Sequence, residues 1–218
     1  MNADSLRSIG WIDETRDRSE GWPAPVKAFV PLGYEMYIRV LFPFQAPDGS
    51  PVPWREVTRR VGVELTAKAG ITELSRTVFD SDEELVPMDT LDDASAEVLV
   101  ELLEGPLGPT EACTFLYSSV DTSHVTPDLQ PVEDSLKDES VIVGVGAISR
   151  SLDFDANYVW PSNRRWFFAK IIDSMGSGLL GCDRSTGQKI LESEAIEAFV
   201  VSDSDDASFL FPRWDELS

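Results

Sequence analysis

Residues 33–42 read Gly33-Tyr34-Glu35-Met36-Tyr37-Ile38-Arg39-Val40-Leu41-Phe42, and their alternation decides the fold class. Along an extended chain Tyr34, Met36, Ile38, Val40 and Phe42 point one way, and Glu35, Tyr37, Arg39 and Leu41 the other. Gly33 opens this strand and Pro43 closes it. The run Val141–Ile148 (VIVGVGAI) is apolar on both faces, so it reads as a central, buried strand. Further strands are expected at 113–120, where Thr114, Phe115 and Tyr117 suit a pleated surface, and at 166–173 and 178–183. Ser174-Met175-Gly176 joins the last two as a hairpin.

Helical spacing appears between these runs. Pro53 suits a first turn, and Trp54, Val57 and Val61 lead to a stop at Gly62, which predicts a helix over 53–61. Within it Glu56 and Arg60 stand at i,i+4 in the favourable order. A second helix is expected over 93–104. Asp92 or Asp93 caps it, Val98, Leu99, Leu102 and Leu103 form its buried stripe, and Gly105 and Pro106 end it. Ser193 is placed to cap a third over 193–200, with Ala195, Ile196, Phe199 and Val200 at helical spacing. The result is an α+β protein: a mixed or antiparallel sheet with a few packed helices. Residues 1–31, with Pro23, Pro25 and Pro31, read as an N-terminal arm before one α+β domain at 32–218. The polar stretch 121–138 reads as a linker or long surface loop, which divides that domain into candidate lobes 32–120 and 139–218.

Charge narrows the function classes. Among 218 residues, 18 are Lys or Arg and 39 are Asp or Glu, a formal net charge of −21. Such a chain repels polyanions, so neither direct nucleic-acid binding nor an anionic membrane surface is expected. No window approaches 18 uninterrupted apolar residues. The first residues, MNADSLRSIGWIDETRDR, hold no apolar run of signal-peptide length, so a cytoplasmic location is expected. Cys113 and Cys182 are then expected to be reduced and to pack as small hydrophobes.

Most catalytic and cofactor motifs fail on their own requirements. Gly176-Ser177-Gly178-Leu179-Leu180-Gly181 matches the dinucleotide pattern, but that pattern needs a helix directly after it, and Cys182–Gly187 reads as a turn. Val143-Gly144-Val145-Gly146 has Ser149 at the third glycine position. His124 is the only histidine and the cysteines are 69 positions apart, which leaves no zinc spacing. Asp153-Phe154-Asp155-Ala156-Asn157 starts like a calcium loop, but Tyr158 stands where glycine is needed and Arg164 where the bidentate glutamate belongs. No Gly-x-Ser-x-Gly elbow occurs, and Ser123 and His124 are adjacent, which disfavours a triad. A Cys113–His124 pair stays open. No cofactor or metal is expected.

Two charge clusters remain. Arg55 and Arg59 are i,i+4 neighbours, and Arg164-Arg165 precede the strand at 166. These four are candidates for an anion site in an enzyme or small-molecule binder with an arginine-lined pocket. The stronger signal is acidic. Residues 77–136 contain fifteen acids and neither Lys nor Arg. On the predicted helix Asp93, Glu97, Glu101 and Glu104 lie at 0, +4, +8 and +11, one stripe opposite the leucines. Like charges at that spacing cost roughly 0.2–0.5 kcal/mol per pair. A single-sign face accelerates encounter with an oppositely charged partner. The leading expectation is a non-catalytic interaction protein docking a basic protein, in an immunity-type or nucleic-acid-mimic role; the alternative is a solvated face and nothing more.

Three segments carry a resemblance. Gly33-Tyr34-Glu35-Met36-Tyr37-Ile38-Arg39-Val40-Leu41, Val52-Pro53-Trp54-Arg55-Glu56-Val57 and Trp160-Pro161-Ser162-Asn163-Arg164-Arg165-Trp166-Phe167-Phe168-Ala169 occur in that order, with Asp173 beyond. Together they resemble a group of uncharacterised actinobacterial proteins with the pattern G-[FY]-E-x-Y, W-x-E-V, W-P-x-D-R-x-W. Asn163 departs from the Asp of that pattern. The resemblance implies a bacterial cytoplasmic protein and assigns no site residues.

Overall fold

The predicted strand at 33–42 forms as β1 (Met36–Leu41) and is paired on both sides. The structure is a computed structural model and describes residues 10–15, 24–71, 74, 85–107, 112–117, 132–136, 139–146, 156–170 and 176–208. In chain order the other elements are α1 (Gly10–Thr15), β2 (Phe44–Gln45), β3 (Pro51–Val52), α2 (Trp54–Val61), β4 (Val86–Pro87), α3 (Asp93–Leu107), β5 (Cys113–Tyr117) and β6 (Val132–Leu136). Then come β7 (Glu139–Gly146), β8 (Tyr158–Pro161), β9 (Phe167–Ala169), β10 (Ser177–Cys182), α4 (Arg184–Glu192) and β11 (Ala198–Val201).

Eight strands form one sheet in the order β11-β1-β10-β9-β8-β5-β7-β6, and β3-β2-β4 form a small second sheet. Every described pair is antiparallel. The α+β class with an antiparallel sheet is therefore as the sequence predicts. The division into lobes is not. From 32–120, β1 lies between β11 and β10 and β5 between β8 and β7, all four neighbours coming from 139–218, so the two stretches share one sheet. The expected linker at 121–138 also contains β6, which pairs with β7; residues 118–131, with His124, lie outside the described residues.

Each face of β1 is covered. Ile38, Val40 and Phe42 join Leu99, Leu103 and Ile190 in the core beneath α3 and α4. On the other face Tyr37 packs with Ile12, Val26, Val30, Trp160 and Phe167, so described parts of the N-terminal arm form a layer over the sheet. Tyr34 reaches that same face. Its ring lies on Gly181, where an added Cβ would collide with it. The third apolar cluster gathers Leu41, Phe44, Trp54 and Val57 at the β1 exit.

Two helix expectations need correction. Residues 198–201 are strand β11, because the apolar positions 199 and 200 fit both a helical and an extended period, and pairing with β1 decides between them. The chain after the glycine pattern is helix α4 rather than a turn. Ser185, Thr186 and Gly187 are weak helix formers, and the helix rests on its cap. The Asp183 carboxylate accepts from the Thr186 amide at 2.9 Å and from the Ser185 and Thr186 hydroxyls at 2.8 and 2.9 Å. The α3 helix also runs three residues past Glu104, through Gly105 and Pro106 to Leu107. A proline's fixed φ is itself helical, and near an end it forfeits one backbone hydrogen bond.

The Asp183 cap sets a pH dependence. Partial burial raises its carboxyl pKa, but the Thr186 and Ser185 hydrogen bonds outweigh this and hold it below the usual carboxylate value. A depressed folded-state pKa adds stability above the unfolded value of about 3.9 and loses it as pH falls through the folded one. Asp183→Ala is expected to cost about 1 kcal/mol at neutral pH. Urea midpoints of the two proteins should converge as pH drops below about 4.

Candidate functional site

Helix α3 carries the acidic stripe. Asp92 ends the preceding segment and caps the helix, its carboxylate accepting from the Ala94 and Ser95 amides at 3.1 Å each and from the Ser95 hydroxyl at 2.6 Å. The Ala195 carbonyl lies 2.9 Å from the same Ser95 hydroxyl and shares its single proton with Asp92, which sets the start of α3 beside the chain entering β11. Ala96, Leu99, Val100 and Leu103 are buried against the sheet, and Val98 and Leu102 are partly buried beside them. That orientation leaves Asp93, Glu97 and Glu101 exposed. The side chain of Glu104 lies outside the described ones. The last turn holds no basic residue.

The candidate anion-binding arginines are not brought together. Strand register puts Met36 beside Cys182 at one end of the sheet and Leu41 beside Ser177 at the other. Arg55 and Arg59 sit on α2, which packs at the Leu41 end, where the Trp54 indole donates to the Phe42 carbonyl at 2.7 Å. Arg164 and Arg165 sit in the turn from β8 to β9, at the Met36 end. Arg55 pairs with Glu197 at 2.7 Å. The same Glu197 carboxylate accepts from the Trp54 and Arg55 amides at 2.5 and 3.0 Å, so it caps α2 from across the chain. An anion at that helix start would have to displace a carboxylate already there. Arg59, with its side chain 77% exposed, lies 3.9 Å from Glu56, and Glu56 also holds Arg60 at 2.7 Å.

Arg164 has a different task. Its guanidinium stacks over Trp11 at 4.4 Å, and its backbone is left-handed, φ 56°. It pins α1 to the β8–β9 turn. The Asn163 side-chain oxygen accepts from the Arg165 amide at 3.0 Å. This contact needs only an acceptor oxygen, which Asn supplies as Asp does.

The glycine pattern now has its helix, yet the geometry still opposes a pyrophosphate. Asp183 fills the N-terminus of α4, and Glu35 accepts from the Arg184 amide at 3.0 Å. Two carboxylates occupy the place an anionic phosphate would take. Gly178 and Gly181 instead make room for the Phe168 and Tyr34 rings. In the acidic run near the end of the described chain, Asp203 and Asp205 are engaged within the fold. Asp205 accepts from the Ser202 amide at 2.8 Å and pairs with Lys68 at 3.4 Å, while the Asp203 and Asp205 carbonyls hold the Lys27 and Val26 amides.

Neither cysteine is in a disulfide and both are buried, and burial with the nearby Asp183 charge pushes the Cys182 thiol up to about 12. Such a thiol is a poor nucleophile. Among the described residues no group of three His, Cys, Asp or Glu side chains could hold a metal ion, and no helix is long and apolar enough to cross a membrane. Nothing local in the sequence signals the burial of Arg39 or the role of Glu197, whose partner Arg55 lies 142 positions away. No protein-family model, curated protein or solved structure matches the chain.

Proposed function

We propose that this chain is a non-catalytic interaction protein whose α3 face docks a basic protein, in an immunity-type or nucleic-acid-mimic role. The observation that carries this reading is the exposure of Asp93, Glu97 and Glu101 along one helix face whose opposite side is buried. The net charge of −21 adds a long-range field of the same sign. The arginines of the rival reading are separated or already paired, which favours docking over a small-anion pocket.

The test compares wild type with Glu97→Gln/Glu101→Gln/Glu104→Gln, and with Glu14→Gln/Asp48→Asn/Glu64→Gln, at exposed acids on neither α3 nor the β11 edge, as a control of equal charge change elsewhere. Immobilised wild type and control are expected to retain the same basic proteins from lysate at low salt, and the α3 variant to lose them. The difference should vanish at high salt. Melting temperature of the α3 variant should hold or rise, since like-charge neighbours are relieved. Equal retention by all three proteins would leave the stripe a solvated face.

A further inference from the structure

The open edge of the main sheet at β11 offers a second, more specific contact for that partner. Leu41 donates its amide to the Glu197 carbonyl at 2.8 Å, which fixes the phase of the ladder. Hydrogen-bonded pairs alternate in an antiparallel ladder, so Phe199 and Val201 turn their N–H and C=O groups toward β1. Ala198 and Val200 then turn theirs outward. Among the described residues no neighbouring strand lies on that side, because β11 ends the sheet order.

Protein edges are ordinarily guarded by Lys, Pro, bulges or a covering segment. The sequence Ala198-Phe199-Val200-Val201 has no charge and no proline, and its ladder with β1 is unbroken. Val200 is 54% exposed. Past Val201 the chain leaves the ladder, and the Asp203 and Asp205 carbonyls bond to Lys27 and Val26, so the open edge is short. Exposed acids flank it: Glu192 and Glu194 before, Asp206 after.

We infer that β11 accepts an extended, basic segment as an added antiparallel or parallel strand, with main-chain bonds to Ala198 and Val200, an apolar residue against Val200, and Lys or Arg toward the flanking acids. Charge complementarity selects this occupant over a second copy, which would bring like acids together at both ends of the edge. This inference rests on the basic-partner reading above and adds a binding mode to it.

The probe is a synthetic peptide alternating Lys and Val over eight residues, with two controls: the same peptide N-methylated at alternate amides, and its Glu–Val counterpart. The basic peptide is expected to bind wild type and to slow amide exchange at Ala198 and Val200. The N-methylated and acidic peptides should bind at least tenfold more weakly. Val200→Pro removes a donor that points away from β1, so it should fold, as a melt will show, and lose the peptide at least tenfold. The α3 variant Glu97→Gln/Glu101→Gln/Glu104→Gln should keep the exchange protection at β11. Binding that survives N-methylation overturns the strand-addition mode on the unmodified protein, whatever Val200→Pro does. Loss in the α3 variant with none in Val200→Pro overturns β11 as the site and leaves the α3 reading standing. No binding of the basic peptide, or a dimer of this chain broken by Val200→Pro, also overturns it.

Discussion

Trp54→Ala is expected to lower folding stability by about 3–5 kcal/mol, the range for truncating a buried tryptophan. Trp54 is fully buried where four parts of the fold meet. It starts α2, and its ring lies 5.2 Å from that of Phe44 in the small sheet. Its indole N–H donates to the Phe42 carbonyl at 2.7 Å, just past β1. The close approach of Gly176, where a Cβ would stand 2.8 Å from the ring, ties it to the entry of β10. Alanine would leave a cavity and an unpaired carbonyl together. Trp54→Phe should recover most of the packing but not the hydrogen bond, and so fall between the two in urea denaturation.

The second large effect is expected at Arg39. It is a fully buried arginine on β1. Its Nε donates to the Ser177 hydroxyl at 3.1 Å, and one Nη donates to the Ala67 and Ala69 carbonyls at 3.0 and 2.6 Å. Its guanidinium also faces the Trp54 ring, 5.5 Å from the centroid. Arg39→Met keeps the length and removes every donor. A loss of about 3 kcal/mol is expected, since the buried Ala69 carbonyl and the partly buried Ala67 carbonyl lose their donor. Arg39→Lys should rescue little, because an ammonium cannot reproduce the planar fork. Equal stability of the Met variant and wild type would show that the 67–69 segment is held by packing alone.

These two residues mark what was legible in the sequence. The alternation at 33–42 placed Arg39 on the face opposite Ile38 and Val40, and that placement is right. Alternation cannot say that the second face is covered too. That depends on the 67–69 segment and on the arm residues Ile12, Val26 and Val30 folding back over the sheet. Pro53, Trp54, Val57 and Gly62 predicted α2 to within one residue, because its start and stop signals are local. The α4 helix was hidden because Ile190 is its one buried large apolar residue and one of the carboxylates at its start, Glu35, comes from 149 positions away. The β11 strand was hidden because four residues cannot distinguish periods, and its partner lies more than 150 positions away.

For the site, the acidic stripe was legible because a helix places i, i+4 and i+8 on one face by geometry. The arginines were not, since their separation depends on strand register, and the pairing of Arg55 depends on Glu197 from β11's approach. Clusters of charge in sequence become sites only when the fold keeps them adjacent and exposed.

The central claim is that the α3 face steers a basic partner, and its most direct measurement is the association rate against ionic strength. Stopped-flow traces would use the captured partner with wild type, the α3 variant and the equal-charge control. At low salt the α3 variant is expected to associate roughly tenfold more slowly than the other two. The three rates should converge as salt screens the field, with dissociation rates much less affected. Indistinguishable association rates for all three proteins at low salt, or equal slowing of both variants, would contradict the claim.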